Sequence, residues 1–274
     1  MPTAVRALIR INPDPDPQGC FIMTRSRRTH APDRTGDRTQ AICLSATASY
    51  TAAAVLIPLG AVTLARGLSA DRRYAALFAL PLLFGLQQLF EGLVWTAGGH
   101  GDQDWVARYS LAYMFFSWLA WPVWVPVSAF LIEGSRRKPL FLVMAVLGGM
   151  LGGLQYVPYF AHEGWLSVRF LPNAVVYQST ELLDFIIGRE GTYMIYIAIV
   201  VGSLLLSRDR NVKVFGLLVF AVMAVTYAFF AYAYVSVFCF GGAVMSLYLV
   251  WMAFGGGFKN GQREADCAVG SLPA

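Results

Sequence analysis

Seven stretches of the chain are apolar over lengths close to the roughly 20 residues that an α-helix needs to cross a bilayer. They cover 42–65, 74–97, 106–132, 139–160, 191–206, 212–230 and 233–254. Short charged loops separate most of them, and only 14% of all residues are charged, against about a quarter in soluble domains. The pattern predicts an all-α polytopic membrane protein built as a single bundle of seven transmembrane helices.

The uneven distribution of lysine and arginine between the loops predicts how this bundle is oriented. Basic clusters occur at 66–73, 136–138 and 208–213, whereas acidic residues dominate the alternate loops. The positive-inside rule therefore places the N-terminus outside and the C-terminus inside, in the bacterial cytoplasmic (inner) membrane. The tail before the first span opposes this with seven Arg and four Asp, but the three internal loops agree with one another.

Residues 1–41 differ from the bundle in composition. They are rich in Pro, Arg, Asp and Thr without apolar periodicity, which favours a disordered basic tail. Met23 offers an alternative start, so this segment is either a start-site extension or a genuine appendage. Residues 255–274 form a cytoplasmic tail in the predicted topology.

The loop 161–190 is the only long one between spans, and it lies on the external side. Val168–Leu171 and Ala174–Tyr177 flank Pro172-Asn173, which is typical of a short hairpin, and 180–187 favours an interfacial helix. The loop is either a lid over the bundle or a plain connector.

Two further patterns concern helix packing. Gly148 to Gly153 in the fourth span contains two overlapping GxxxG spacings, which are typical of closely packed membrane helices. Pro122 and Pro126 in the third span each remove a backbone donor and bend the helix. The bend either opens a cavity or is static.

The second span carries Gln87, Gln88 and Glu91 inside its apolar run. Spacings of three and four residues place all three on one broad helix face. Because polar groups without partners are costly in hydrocarbon, we expect this face to point into the bundle. Glu91 is either a structural carboxyl that desolvation keeps protonated or a functional group, as ionisable residues within membranes usually are.

Four other spans place polar side chains at a similar depth in the outer half of the bundle. The candidate ligand-binding residues are Glu91, Gln87, Gln88, Cys43, Ser45, Cys239, Ser236, Gln155 and Tyr156. Cys43 and Cys239 are open to three interpretations: buried packing residues, a disulfide on the oxidising side, or a metal site, for which further soft ligands are missing.

Several classes of site are excluded by residues that the spans lack. All three histidines lie in the tail or in outer loops, which excludes a histidine-ligated haem or zinc site in the membrane. No lysine lies in the interior of a span, since Lys138 and Lys259 lie outside the spans and Lys213 is the second residue of the sixth, which excludes a retinal Schiff base. There is no phosphate-binding glycine loop, and no Ser-His-Asp set lies within the spans. We predict no cofactor, no metal and no nucleic-acid partner.

Four motifs follow one another along the bundle. They are Cys43-Leu44-Ser45-Ala46-Thr47-Ala48-Ser49-Tyr50, Gln87-Gln88 with Glu91-Gly92 and Trp95, Trp121-Pro122 with Trp124-Val125-Pro126, and Ser236-Val237-Phe238-Cys239-Phe240. Over 42–254 the chain resembles a family of uncharacterised bacterial integral membrane proteins, whose chains open Met-Cys-Phe-Ser-Ala-x-Ala-Ser-Phe. It departs at Leu44 and Tyr50, where the family has Phe, and at 238–241, where the family tends to Trp-Cys-Phe-Phe. Ile42 stands in place of the family's initiating Met. The resemblance implies this architecture and these candidate residues, and no activity.

The leading hypothesis is binding, sensing or transport of a small molecule or ion in an outward-facing polar pocket. Glu91 would carry the charge or proton, Gln87 and Gln88 would orient it, and Cys43 and Cys239 would line the facing wall. One alternative is an intramembrane enzyme that uses Cys43 or Cys239 as the nucleophile and Glu91 as the base, although the sequence favours a protein that is not an enzyme. The other is a structural or assembly subunit. The expected partners are the lipid bilayer and an unidentified small ligand.

Overall fold

The computed structural model describes residues 9–11, 45–134, 136–161, 165–171, 174–179, 182–230 and 233–255. Within these ranges, seven helices are long and apolar enough to cross a membrane. They are α1 Ala46–Ala70, α2 Arg72–Gly99, α3 Gln103–Ile132, α4 Lys138–Ala161, α5 Gly188–Leu206, α6 Arg210–Phe230 and α7 Tyr234–Phe254. The predicted seven-helix bundle is confirmed.

The helix ends differ from the predicted spans by a few residues. Helix α1 continues to Ala70 rather than ending at 65, and α5 begins at Gly188 rather than at 191. Both helices extend into polar sequence. Hydropathy does not predict a membrane span there, but the helical backbone hydrogen bonds continue. The predicted start of the first span, 42–44, lies outside the described residues.

Helix α2 occupies the centre of the bundle. In an 18-residue apolar stretch of α2, 67% of the residues are buried, a larger share than in any other of the seven helices. Helix α2 packs against α1, α3 and α7. The crossing with α1 is very close, because a Cβ atom on Gly60 would lie 2.2 Å from the backbone nitrogen of Leu82. This central position turns the polar face of α2 away from lipid, as the sequence predicts.

The GxxxG glycines of α4 lie directly on the backbone of α3. A Cβ atom on Gly148 would come within 1.8 Å of the Pro122 carbonyl oxygen, and one on Gly152 within 2.7 Å of the Trp118 carbonyl oxygen. Any side chain at these two positions would separate the helices, so the spacing serves close packing, as predicted.

Three short strands lie at the end of the bundle opposite the basic loops, which we call the hairpin end. Strands β2 Leu166–Leu171 and β3 Ala174–Ser179 form an antiparallel hairpin in which Val168 pairs with Tyr177. Strand β1, Ile9–Ile11, runs parallel to β2. The hairpin matches the prediction, whereas the all-α assignment omits this sheet.

Two further expectations concern the segments around this sheet. The tail predicted to be disordered, 1–41, lies outside the described residues except for Ile9–Ile11, which pair with β2. The sequence predicts an interfacial helix over 180–187; residues 180 and 181 lie outside the described residues, and Leu182–Phe185 form a 3-10 turn. The segment cannot continue into α5 as one helix, because Gly188 has a positive φ of 71°.

Candidate functional site

Buried polar side chains gather where α2 packs between α3 and α7. Six of them are at most 7% exposed, and we call them the polar cluster: Gln87, Gln88, Glu91, Ser117, Ser236 and Cys239. Helix α2 supplies the first three, α3 supplies the serine at 117, and α7 supplies the last two. Three helices therefore turn their polar residues towards one another.

Glu91 is 2% exposed, and its carboxyl group accepts one short hydrogen bond. The Ser236 hydroxyl on α7 donates to its Oε1 atom. Among the residues that the structure describes, the carboxyl group makes no ion pair. A buried carboxylate is costly without a countercharge, so its charge has to be neutralised by a proton or by a bound cation.

Gln87 connects the three helices through its carboxamide. Its Nε2 atom donates to Ser117 Oγ at 3.0 Å and approaches Cys239 Sγ at 3.2 Å, while Trp121 Nε1 donates to its Oε1 at 3.2 Å. An indole nitrogen can only donate, which determines the orientation of the amide. Both ends of this side chain are therefore satisfied within the protein.

Gln88, the next residue, differs from Gln87 because its carboxamide is not satisfied by hydrogen bonds within the protein. It is completely buried, and neither its Oε1 nor its Nε2 atom has a hydrogen bond of good geometry. The amide nevertheless lies beside the Glu91 carboxyl, close enough to interact with it electrostatically. Buried amides without partners are uncommon in native proteins, so this pair is the most unusual feature of the cluster.

A π-helical segment in α3, Phe115–Ala120, positions Ser117. The Trp121 amide donates to the Phe116 carbonyl, five residues earlier, and Pro122 has no N–H group to offer the Ser117 carbonyl. The hydroxyl of Tyr196 on α5 donates to that carbonyl instead, at 2.8 Å. The bend predicted from the prolines thus takes the form of a π segment, which is frequent at functional sites.

The hairpin formed by β2 and β3 covers the cluster at the hairpin end of the bundle. The ring of Tyr177 on β3 stacks on that of Tyr113 at 4.8 Å between centroids, and Phe170 on β2 packs on Trp95 at 5.7 Å. Burial, with the nearby Glu91 and Cys239, raises the pKa of Tyr177 well above its ordinary value, and its hydroxyl has no hydrogen-bond partner. The packing therefore favours the lid over the plain connector. The hairpin therefore closes the site at this end of the bundle.

Cys239 carries a free, buried thiol. It therefore takes part in no disulfide, and Cys43 lies outside the described residues. The thiol contacts Gln87 and Ser117, while Glu91 bonds Ser236, so none of the observed hydrogen bonds joins the thiol to the carboxyl. Within the described ranges, no group of three or more His, Cys, Asp or Glu residues is arranged to hold a metal ion.

Three other predicted candidates lie away from the cluster. Ser45 caps α1, its Oγ accepting from the Ala48 amide at 3.3 Å. Gln155 and Tyr156 belong to α4, which packs on α3 and α5. Tyr156 donates to the Leu111 carbonyl at 3.1 Å, whereas Gln155 is fully buried with both amide atoms unpartnered.

Two concave regions flank these residues. A fissure of about 20 Å³, enough for one water molecule, reaches Ser117 and Cys239 between the aromatic rings of α3, α5 and α7. A larger apolar groove of about 480 Å³ lies between α1 and α7 and begins at Ser45.

Four residues of the site were not among the predicted candidates. Tyr113, Ser117 and Trp121 follow one another at four-residue intervals on one face of α3, and this spacing was available as a signal. Tyr177 reaches the cluster only through the folding of the hairpin, for which the sequence carries no comparable signal.

The comparisons with known proteins place the chain in a family. No curated protein and no solved structure matches it. Residues 42–257 match the model of a family described as a family of unknown function (DUF6629), a range that contains all seven helices and the whole polar cluster. The match confirms the resemblance to a family without a known activity, and the chain therefore belongs to DUF6629, a family of unknown function.

Proposed function

We propose that this protein binds a small molecule or an ion in the polar cluster and serves in its transport or sensing. Glu91 carries the charge or the proton, Gln87 holds α3 and α7 in place, and Gln88 contacts the ligand. One observation carries the proposal: among the residues that the structure describes, a buried carboxyl without an ion pair lies beside a buried carboxamide without a hydrogen bond of good geometry.

The proposal includes the location and orientation of the chain. The protein lies in the bacterial cytoplasmic membrane, with the basic loops in the cytoplasm and the hairpin end outside. The distribution of Lys and Arg supports this orientation. Ligand exchange then takes place from outside, when the hairpin lifts or the fissure between α5 and α7 widens.

The test measures whether the closed cluster opens. In a variant with Cys20, Cys43 and Cys267 replaced by serine, Cys239 is the single thiol and serves as a reporter. We expect slow labelling of the folded protein by N-ethylmaleimide in membrane vesicles, because opening exposes the thiol. A membrane-impermeant charged thiol reagent should react from the outside only.

Two controls accompany this experiment. Labelling after denaturation gives the full extent of reaction, and a fourth replacement, Cys239→Ser, gives the background. Labelling that begins only on unfolding contradicts the proposal and favours the alternative of a structural or assembly subunit, in which the cluster only sets the packing of the helices.

A further inference from the structure

We infer that the polar cluster binds a monovalent alkali-metal cation between α2, α7 and the hairpin. The inference rests on the proposed function and names the ligand class of the same site. The oxygen atoms that would hold the ion belong to Glu91, Gln88, Ser236 and Tyr177.

The first argument is the chemical type of the donor atoms. A carboxylate, a carboxamide oxygen, an aliphatic hydroxyl and a phenol are all hard oxygen donors, which suit alkali and alkaline-earth cations rather than soft metals. Two of them, Gln88 Oε1 and the Tyr177 hydroxyl, have no hydrogen-bond partner although both side chains are more than nine-tenths buried. A cation would supply the positive charge that both oxygens lack, and none of the described residues donates a hydrogen bond to either.

The second argument is charge balance. Glu91 is the one carboxyl group that the structure describes within the cluster, so a single positive charge neutralises the site. The titratable groups in electrostatic range are Tyr113, Tyr177 and Cys239, and none of them becomes positive in any protonation state. A divalent ion would leave an uncompensated charge in a buried site, which is costly.

The third argument is the origin of the donors. Glu91 and Gln88 lie on α2, Ser236 on α7, and Tyr177 on β3, so the ion would join the hairpin to two helices. The Tyr177 ring is already held by its stack on Tyr113. Cation binding would therefore stabilise the closed hairpin, and release of the ion would accompany its opening.

The experiment uses the full chain in lipid nanodiscs prepared with N-methyl-D-glucamine chloride in place of alkali salts. Binding of radioactive Na⁺ is measured directly, with K⁺, Li⁺ and methylammonium as competitors at constant ionic strength. We expect saturable binding, competition by another alkali cation, and a rise in the Tm with cation concentration. Cys239 labelling should slow as the site fills.

Variants assign the effect to these residues. Glu91→Gln keeps the shape of the side chain but removes the charge, and should abolish binding. Tyr177→Phe keeps the ring and removes one donor oxygen, which should weaken binding about tenfold. Gln88→Leu should weaken it similarly, whereas Gln155→Leu, which alters the other buried carboxamide without partners, should leave binding unchanged.

The outcomes separate this inference from the proposed function. Absence of saturable alkali-metal binding, binding unchanged in Glu91→Gln, or displacement by methylammonium alone overturns the inference. If Cys239 is still labelled in the folded state, a ligand site of another class remains. If labelling is absent as well, the proposed function falls with the inference.

Discussion

Two adjacent glutamines in α2 have opposite roles although both are completely buried. Gln87 makes three polar contacts, to Ser117, Cys239 and Trp121, and so connects three helices. Gln88 makes no hydrogen bond of good geometry. Consecutive residues of a helix point about 100° apart, so each amide meets a different set of neighbours.

This difference predicts opposite effects of two matched substitutions. Gln87→Leu leaves the Trp121 indole without its acceptor and removes the donor to Ser117 Oγ, and should lower the free energy of unfolding by about 1–3 kcal/mol. Gln88→Leu removes a polar group that has no partner and should be neutral or stabilising in the absence of alkali cations. Unfolding of both variants in mixed micelles measures the difference. Equal destabilisation would contradict this assignment of roles.

At the scale of the helices, one distorted element arranges the site. The π segment of α3 presents Ser117 to the cluster and the Trp118 carbonyl oxygen to α4, and the α-helical turn after it presents the Pro122 carbonyl oxygen to α4. Gly148 and Gly152 allow α4 to approach these carbonyls, so the packing motif and the proline bend form a single structural unit.

The glycines of α4 provide a matched pair of substitutions. Gly148→Ala would place a methyl group against the Pro122 carbonyl, which should lower the free energy of unfolding by about 1–3 kcal/mol because the two backbones must separate. Gly153→Ala adds the same group where no atom of another helix lies within 4 Å, and should be tolerated. Thermal unfolding in detergent compares the two. Equal Tm values would show that this contact does not limit stability.

At the scale of the whole molecule, both ends of the bundle are closed by different means. The hairpin covers one end through aromatic packing. At the basic-loop end, Glu133 accepts from the Arg208 amide at 2.9 Å and from the Ser207 hydroxyl at 3.3 Å, and Tyr74 donates to Asp209 at 2.5 Å. These bonds join α2 and the residue that follows α3 to the loop between α5 and α6.

The hydrogen bond from Tyr74 to Asp209 should hold this end closed. Tyr74→Phe removes the donor and keeps the ring that stacks on Phe78 at 5.8 Å. We expect faster hydrogen exchange over 207–212, with the hairpin end unchanged. Mass spectrometry of the exchanged protein measures both ends. Unchanged exchange at 207–212 would show that this bond does not determine opening.

Much of this arrangement could be predicted from local patterns. The seven helices follow from apolar length, and the inward direction of Glu91 follows from the cost of placing a carboxyl in lipid. The hairpin follows from two apolar segments around Pro172-Asn173. The candidates Ser45, Gln155 and Tyr156 lie away from the polar cluster. They were chosen by depth in the membrane, and similar depth does not specify which helices face one another.

The sequence by itself determined the elements and the face of α2 that turns inward, because both depend on interactions between residues close in the chain and on transfer from water to lipid. Only the tertiary structure decided that Ser236 and Cys239 meet Glu91 and Gln87, and that Tyr177 closes the site. Helix order, rotation and the docking of the hairpin depend on close packing between distant segments, such as Gly148 against Pro122. The residue pattern within a single segment therefore does not predict that packing.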